Sequence, residues 1–147
     1  MAEAKKNVPQ IVSARILQKR AHKFEAEKFF DIMKLAIVGS REFENYDLLC
    51  AEVAKIQETQ EIDLIVSGGA KGADTLAKKF AALNHIPLME FLPDYDRYGR
   101  GAPLQRNTLI VKNANWVLAF VTATSKGTWD TIRKAESARK RVIIVKS

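Results

Sequence analysis

The sequence predicts an α/β fold, an open and mainly parallel sheet of about five strands flanked by helices. Three observations carry this prediction. Short β-branched runs alternate with segments whose apolar residues recur at helical spacing, as in strands joined by crossover helices. Two of the runs pass directly into loops of glycine and serine, at residues 39–40 and 67–69. The chain of 147 residues is long enough for one domain with a hydrophobic core.

The alternation begins with a strand at residues 34–38 and a helix for which Asn45 is a suitable cap. The apolar face of this helix has three residues at i, i+4 and i+7: Leu49, Val53 and Ile56. A strand at residues 63–66 follows, and a glycine loop joins it to a second helix. The expected buried face of the second helix is Leu76, Ala77, Phe80, Ala81 and Leu83.

The second half repeats the pattern. Pro87 ends the second helix, and a polar, aromatic loop at residues 92–101 follows the next strand. Pro103 suits the first position of a helix. The remaining strands are predicted at 88–91, 116–121 and 141–145, and the helices at 103–112 and 127–138.

Residues 1–32 form a separate predicted extension, and residues 33–147 form the domain. Residues 9–30 have the pattern of one helix with Leu17, Ala21 and Phe24 on a face. The extension is a docked or dimerising helix, a basic arm, or a product of start-codon choice. The apolar residues favour the docked helix over a disordered basic tail.

Charge and composition narrow the function classes. The formal net charge is +7 and is spread along the chain, which favours a small anionic ligand over a nucleic-acid polymer. There is no apolar run long enough for a membrane span, so no membrane partner is expected. The single cysteine, Cys50, fits a cytoplasmic protein, and the isolated His22 and His85 indicate no metal site. No cofactor is predicted.

The loop at residues 67–74 carries the chemistry. A strand, a glycine loop and a helix in this order aim backbone N–H groups at phosphate. Gly68, Gly69 and Gly72 have no Cβ, so a phosphate can approach their backbone. The spacing matches neither the Walker pattern nor the dinucleotide fingerprint. The alternative is a tight turn that needs glycine.

Four segments together resemble the SLOG superfamily of Rossmann-like domains, and most closely its small YspA/CpYpsA-related proteins. They are residues 37–41 (IVGSR), 66–74 (VSGGAKGAD), 105–107 (QRN) and 126–128 (KGT). The superfamily includes the DNA-processing protein DprA/Smf and the "lonely guy" (LOG) enzymes. The resemblance implies a nucleotide-derived ligand at the carboxyl ends of the strands, where open parallel sheets bind ligands.

The resemblance, together with the chemistry of the loop at residues 92–101, gives the expected ligand-binding residues. They are Gly39, Ser40, Arg41, Ser67, Gly68, Gly69, Lys71, Asp74, Asp94, Tyr95, Arg106, Asn107, Ser125, Lys126, Gly127 and Thr128. Asp74 either accepts ribose hydroxyls or stabilises a helix N-terminus. Lys71 either adds charge or is a solvated surface lysine. In the loop at residues 92–101, Tyr95 and Tyr98 are expected to stack on a base and Arg97 or Arg100 to meet phosphate. The alternative is a surface loop capped by its own Asp–Arg pairs, or a dimer contact.

The sequence departs from the LOG enzymes at their catalytic position. Arg106 stands where those enzymes have an arginine, but Thr131 occupies the position of their glutamate. Threonine cannot serve as an acid or an ionised base near neutral pH. Asp130 is adjacent, and about 100° away on a helix. No catalytic residue is therefore assigned.

Three functions follow from these patterns. The first is non-catalytic sensing or sequestration of a nucleotide-derived, phosphate-containing ligand, such as a signalling nucleotide in phage–host conflict. The second is a LOG-type nucleotide N-glycosidase or a related hydrolase that uses Asp74, Asp94 or Asp130. The third is DprA-like binding of single-stranded nucleic acid, which the net charge of +7 favours and the absence of an aromatic-basic stripe disfavours. The resemblance also implies a homo-oligomer.

Overall fold

The computed structural model describes residues 10–12 and 32–147. These residues contain six strands in one sheet: β1 (Gln10–Val12), β2 (Lys34–Gly39), β3 (Leu64–Ser67), β4 (Leu88–Glu90), β5 (Trp116–Val121) and β6 (Arg141–Lys146). Their order across the sheet is β1-β4-β3-β2-β5-β6. Strands β2 to β6 are all parallel to one another, so the predicted sheet of about five parallel strands is confirmed.

Five α-helices connect these strands in the described part of the chain: α1 (Tyr46–Gln57), α2 (Ala73–Leu83), α3 (Tyr95–Tyr98), α4 (Ala102–Lys112) and α5 (Lys126–Ser137). The Asn45 side chain caps α1 by accepting a hydrogen bond from the Leu48 N–H at 3.0 Å, as expected. Helices α1 and α2 pack on one face of the sheet through residues such as Val53 and Phe80. Helices α4 and α5 pack on the other face through Ile110 and Ile132.

The strand order places the carboxyl ends of β2 and β5 side by side at the centre of the sheet. The chain leaves β2 toward one face of the sheet and leaves β5 toward the other. A crevice therefore opens between the two connections, which is where doubly wound sheets bind ligands.

Two local expectations were wrong, one about the buried face of the second helix and one about the segment at residues 92–101. Leu83 is 63% exposed, because it is the last residue of α2 and lies beyond the edge of the core. The segment at residues 92–101 is not a plain loop, since it contains α3 and a 3-10 turn at Gly99–Gly101. Asp94 caps α3 by accepting from the Arg97 N–H at 3.2 Å.

The predicted helix at residues 9–30 is contradicted at its start. Gln10–Val12 is a strand that pairs antiparallel with β4, with Ile11 opposite Met89. β-Branched residues favour a strand, and β4 presents an otherwise open edge. The rest of that predicted helix lies outside the described residues, and the domain boundary at residue 33 stays a prediction. Among the described helices, none has the length and apolarity that a membrane span requires.

Candidate functional site

A cavity of about 510 Å³ lies at the carboxyl ends of the parallel strands. Its walls come from the loops after β2, β3, β4 and β5 and from helices α4 and α5. This volume falls in the range of sites that hold small molecules. Thirteen of the predicted residues line it: Gly39, Ser40, Arg41, Gly68, Gly69, Asp74, Tyr95, Arg106, Asn107, Ser125, Lys126, Gly127 and Thr128.

Helix α5 begins at the cavity with uncapped backbone donors. Its cap residue, Ser125, makes no side-chain hydrogen bond to the first turn. Instead, the Ser125 hydroxyl accepts from the Thr122 N–H at 2.8 Å. The N–H groups of Gly127 and Thr128 have no acceptor among the described residues. These donors and the positive end of the helix dipole favour an anion here.

A chain of hydroxyl groups holds the loops after β2 and β5 together. The Thr122 hydroxyl lies 2.9 Å from the Ser125 hydroxyl and 3.5 Å from that of Ser40. Ser40 in turn accepts from the Glu42 N–H at 3.1 Å. The start of α5 is thus fixed against the β2 loop before any ligand binds.

Close packing within the protein explains the glycines of the β3 loop. A Cβ on Gly72 would meet the carbonyl of Ser40, and one on Gly69 would meet the Leu92 side chain. Both glycines also have positive φ, at 76° and 71°. Gly127 differs, because a Cβ there would find nothing within 4 Å. A phosphate was expected to approach the backbone of residues 68–72. The structure leaves more room for such an approach at Gly127, at the start of α5.

Arg106 is anchored at the floor of the cavity. Its Nη1 donates to the Gly68 carbonyl at 2.6 Å, and its Nε donates to Oδ1 of Asn107 at 3.0 Å. Burial lowers the pKa of Arg106, while the nearby Asp74 and Tyr95 raise it. A guanidinium stays protonated in proteins, so the cavity contains a fixed positive charge.

Asn107 connects that arginine to α5. Its Nδ2 donates to Asp130 Oδ2 at 3.1 Å and to the Gly127 carbonyl at 3.3 Å. Asp130 also pairs with Lys134 at 2.9 Å. Since Asp130 accepts from the Asn107 amide, the amide oxygen must face Arg106.

Asp74 is the buried carboxylate of the cavity. It is 7% exposed, and its Oδ2 accepts from the Ala70 N–H at 3.0 Å. Burial raises the pKa of this carboxyl, whereas the Ala70 N–H, Arg106 and the Ser67 hydroxyl lower it. The group lines the cavity as a hydrogen-bond acceptor.

Three predicted site residues lie outside the lining. Ser67 is fully buried and accepts from the Gly69 N–H at 3.5 Å. Lys71 is exposed to solvent, and Asp94 is used as the cap of α3. Their contact with a ligand remains a prediction that the lining does not support.

Sequence reasoning missed other residues of the site. No sequence motif indicates the apolar side chains of the lining or the hydrogen bond between Asn107 and Asp130. The lining residues that were not expected are Val38, Glu42, Ala70, Pro93, Pro103, Leu104, Ile110, Thr124 and Thr131. Pro103 and Leu104 had a detectable signal, because they open the helix that contains Arg106. Within the described ranges, no cluster of His, Cys, Asp and Glu could hold a metal ion.

Comparisons with known proteins support the fold. Residues 33–98 match the family model described as the YspA, cpYpsA-related SLOG family. The predicted resemblance to the SLOG superfamily is thereby confirmed. A search of curated proteins gave no match.

One solved structure is similar, that of DNA processing protein A from Helicobacter pylori, a study of its single-stranded DNA binding mode. It is 19% identical to this chain, with a TM-score of 0.54. The similarity covers 76% of this chain and 64% of that one, so this chain spans less than two thirds of that protein's length. At this identity the likeness supports the shared fold.

Proposed function

We propose, taking the SLOG family match over residues 33–98 as the premise, that this protein binds a nucleotide-derived ligand through its phosphate. The observation that carries the proposal is the start of α5, where two N–H groups without a described acceptor face a cavity of about 510 Å³. Phosphate oxygens satisfy such donors, and the helix dipole adds attraction.

The charges of the cavity support an anionic ligand. Arg41, Arg106 and Lys126 line it, against the carboxylates of Glu42 and Asp74. Asp74 is well placed to accept ribose hydroxyls, because it is a buried acceptor between the β3 loop and Arg106. The ligand is thus held by its phosphate at α5 and by its sugar near the centre of the cavity.

At the position of the LOG glutamate, the arrangement supports binding without LOG-type catalysis. Thr131, at the position of the LOG glutamate, donates its hydroxyl to the Gly127 carbonyl at 3.4 Å. Asp130 is occupied by Asn107 and Lys134 and does not line the cavity. Neither residue supplies a free carboxylate for hydrolysis. Sensing or sequestration of a nucleotide, with a homo-oligomer as the expected assembly, is the function we infer.

Binding of single-stranded DNA is the second candidate. The observation that favours it is the fold shared with DNA processing protein A, together with the net charge of +7. Polymer binding would depend on many exposed cations and would fall steeply with salt. Nucleotide binding in the cavity would depend on few charges, so the affinity would fall less as the salt concentration rises.

Calorimetric titrations separate the two candidates. The full-length protein is titrated with nucleoside monophosphates and with a single-stranded oligonucleotide, at low and near-physiological salt. The proposal expects a mononucleotide to bind at one site and to retain its affinity within about tenfold as the salt rises. Tight oligonucleotide binding at physiological salt, with no mononucleotide binding, would favour the DNA function instead.

A further inference from the structure

Two parts of the cavity lining differ in polarity. The start of α5 has Lys126, the Thr128 hydroxyl and two backbone N–H groups that have no acceptor among the described residues. The segment after β4 and the start of α4 have Pro93, Tyr95, Pro103 and Leu104, which we call the apolar wall. Tyr95 is 60% exposed and Leu104 is 49% exposed, although both are large and mainly apolar. Since both also line the cavity, they are available for contact with a ligand.

The sheet sets the distance between the strands that lead to Tyr95 and to Lys126. Strands β4 and β5 are separated by β3 and β2, so three interstrand spacings, or about 14 Å, divide their carboxyl ends. That span suits a nucleotide whose phosphate lies at α5 and whose base lies toward α3. The β3 loop and Asp74 follow a strand that lies between β4 and β5, where the ribose would be.

The apolar wall offers few groups that could read the edge of a base. Its two prolines have no backbone N–H and the side chain of Leu104 has no polar atom, which leaves the Tyr95 hydroxyl and the backbone N–H groups of Tyr95 and Leu104 as the donors of the wall. The Tyr95 hydroxyl is close enough to Arg106 to interact with it electrostatically. The carboxylate oxygen Oδ2 of Asp94 has no hydrogen-bond partner among the described residues, but it is shielded from solvent and its residue does not line the cavity.

We propose that the site selects its ligand by phosphate and ribose and holds the base by stacking and apolar contact, with little discrimination among bases. This inference rests on the proposed function and names its ligand class: nucleoside phosphates of either purine or pyrimidine type. Stacking tolerates every base, because every base has a π-face. Strong discrimination arises where buried polar groups pair with a base and are left unpaired by another.

Calorimetry with AMP, GMP, CMP, UMP and ribose 5-phosphate tests the inference on the full-length protein. We expect the four nucleotides to bind within about tenfold of one another, purines first because they stack over a larger area. Ribose 5-phosphate should bind to the same site about fivefold to a hundredfold more weakly. A preference of a hundredfold or more for one base would overturn the inference and leave the phosphate site intact.

Variants of Tyr95 give a second readout. Tyr95→Ala should lower the affinity for the nucleotides at least fivefold more than it lowers the affinity for ribose 5-phosphate. Tyr95→Phe should keep the affinity for the nucleotides, because the ring is retained. Leu83→Ala is the matched control, since Leu83 is 63% exposed and lies outside the cavity. Equal weakening of nucleotides and ribose 5-phosphate in Tyr95→Ala would contradict a role in holding the base. Binding of none of the five compounds would contradict both proposals.

Discussion

Asn107 Oδ1 accepts a hydrogen bond from Nε of its chain neighbour Arg106 at 3.0 Å. Consecutive residues of a helix point about 100° apart, so such a pair needs a cause. Here the amide of Asn107 is oriented by Asp130 on α5, and Arg106 reaches the Gly68 carbonyl on the β3 loop. The pair therefore connects the β3 loop and α5, two elements of the proposed site, through α4.

Removal of the Asp130 carboxylate should weaken ligand binding, although Asp130 does not line the cavity. In Asp130→Ala, Asn107 loses the acceptor that orients its amide, and Arg106 becomes less fixed. We expect the affinity for a nucleoside monophosphate to fall by about twofold to tenfold, the value of one hydrogen bond. Titration calorimetry measures it, with Glu136→Ala as the control because Glu136 is exposed on the same helix. Unchanged affinity would show that Asp130 does not position Arg106.

Replacement of Arg106 by lysine should keep the charge and lose the geometry. A lysine cannot donate to Gly68 and Asn107 at once in the planar arrangement of a guanidinium. We expect at least tenfold weaker nucleotide binding and a loss of about 1–3 kcal/mol in the free energy of unfolding. Arg133→Lys, at an exposed position of α5, should change neither quantity. Equal binding by Arg106→Lys would mean that only the charge matters.

A side chain at Gly127 should block the phosphate. The position is open, and substitution of a helical glycine improves helix propensity, so Gly127→Leu should fold with unchanged or slightly higher stability. We expect nucleotide affinity to fall more than tenfold. Gly101→Leu is the matched control, because a Cβ there also meets nothing within 4 Å and the residue is outside the lining. If the leucine at 127 leaves affinity intact in a folded protein, the phosphate is elsewhere.

Asp74→Asn should raise the free energy of unfolding of the ligand-free protein and lower its affinity for the ligand. Burial raises the pKa of Asp74 in the folded state, with Glu90 adding to the effect. The folded state therefore binds more protons than the unfolded state between the ordinary and the raised pKa. The stability due to this group is lost as the pH rises through that window, and Asp74→Asn should remove the loss. Urea unfolding across the acidic range measures it, and a decline that persists in Asp74→Asn would refute the assignment.

Prolonged incubation with AMP or GMP should release no free base. Thr131 cannot act as the LOG glutamate, and Asp130 is held by Lys134. Chromatography of the mixture detects the products. Multiple turnovers that disappear in Arg106→Ala would replace the binding function with an enzymatic one.

The parallel sheet could be predicted because its signal is local. The strand at residues 116–121 was predicted with the bounds that the structure gives, since an apolar run lies between polar turns. The strand β1 could not be predicted, because three residues acquire strand structure only by pairing with β4, far along the chain. The short helix α3 depends on one cap, Asp94, and has no apolar period to reveal it.

Most residues predicted for the site line the cavity, and their binding of a ligand stays a prediction. Their contacts could not be predicted from the sequence. The glycine motifs and the residues near 106 and 126 are recognised by their residue types and by their order along the chain, and both can be read from the sequence. The sequence could not show that Gly69 is required by Leu92, or that Arg106 is tied to a backbone carbonyl. Such contacts depend on side-chain packing between elements that are distant in sequence.

The most direct test of the central claim is an NMR titration of the full-length, ¹⁵N-labelled protein with a nucleoside monophosphate. The amide N–H groups of Gly127 and Thr128 have no described acceptor, so a phosphate that binds them should shift their proton resonances downfield more than others. Saturating shifts at these two amides, with smaller ones at Gly68 and Arg106, are the predicted result. Shifts confined to another surface, such as residues 57–62 at the opposite end of the strands, would contradict it.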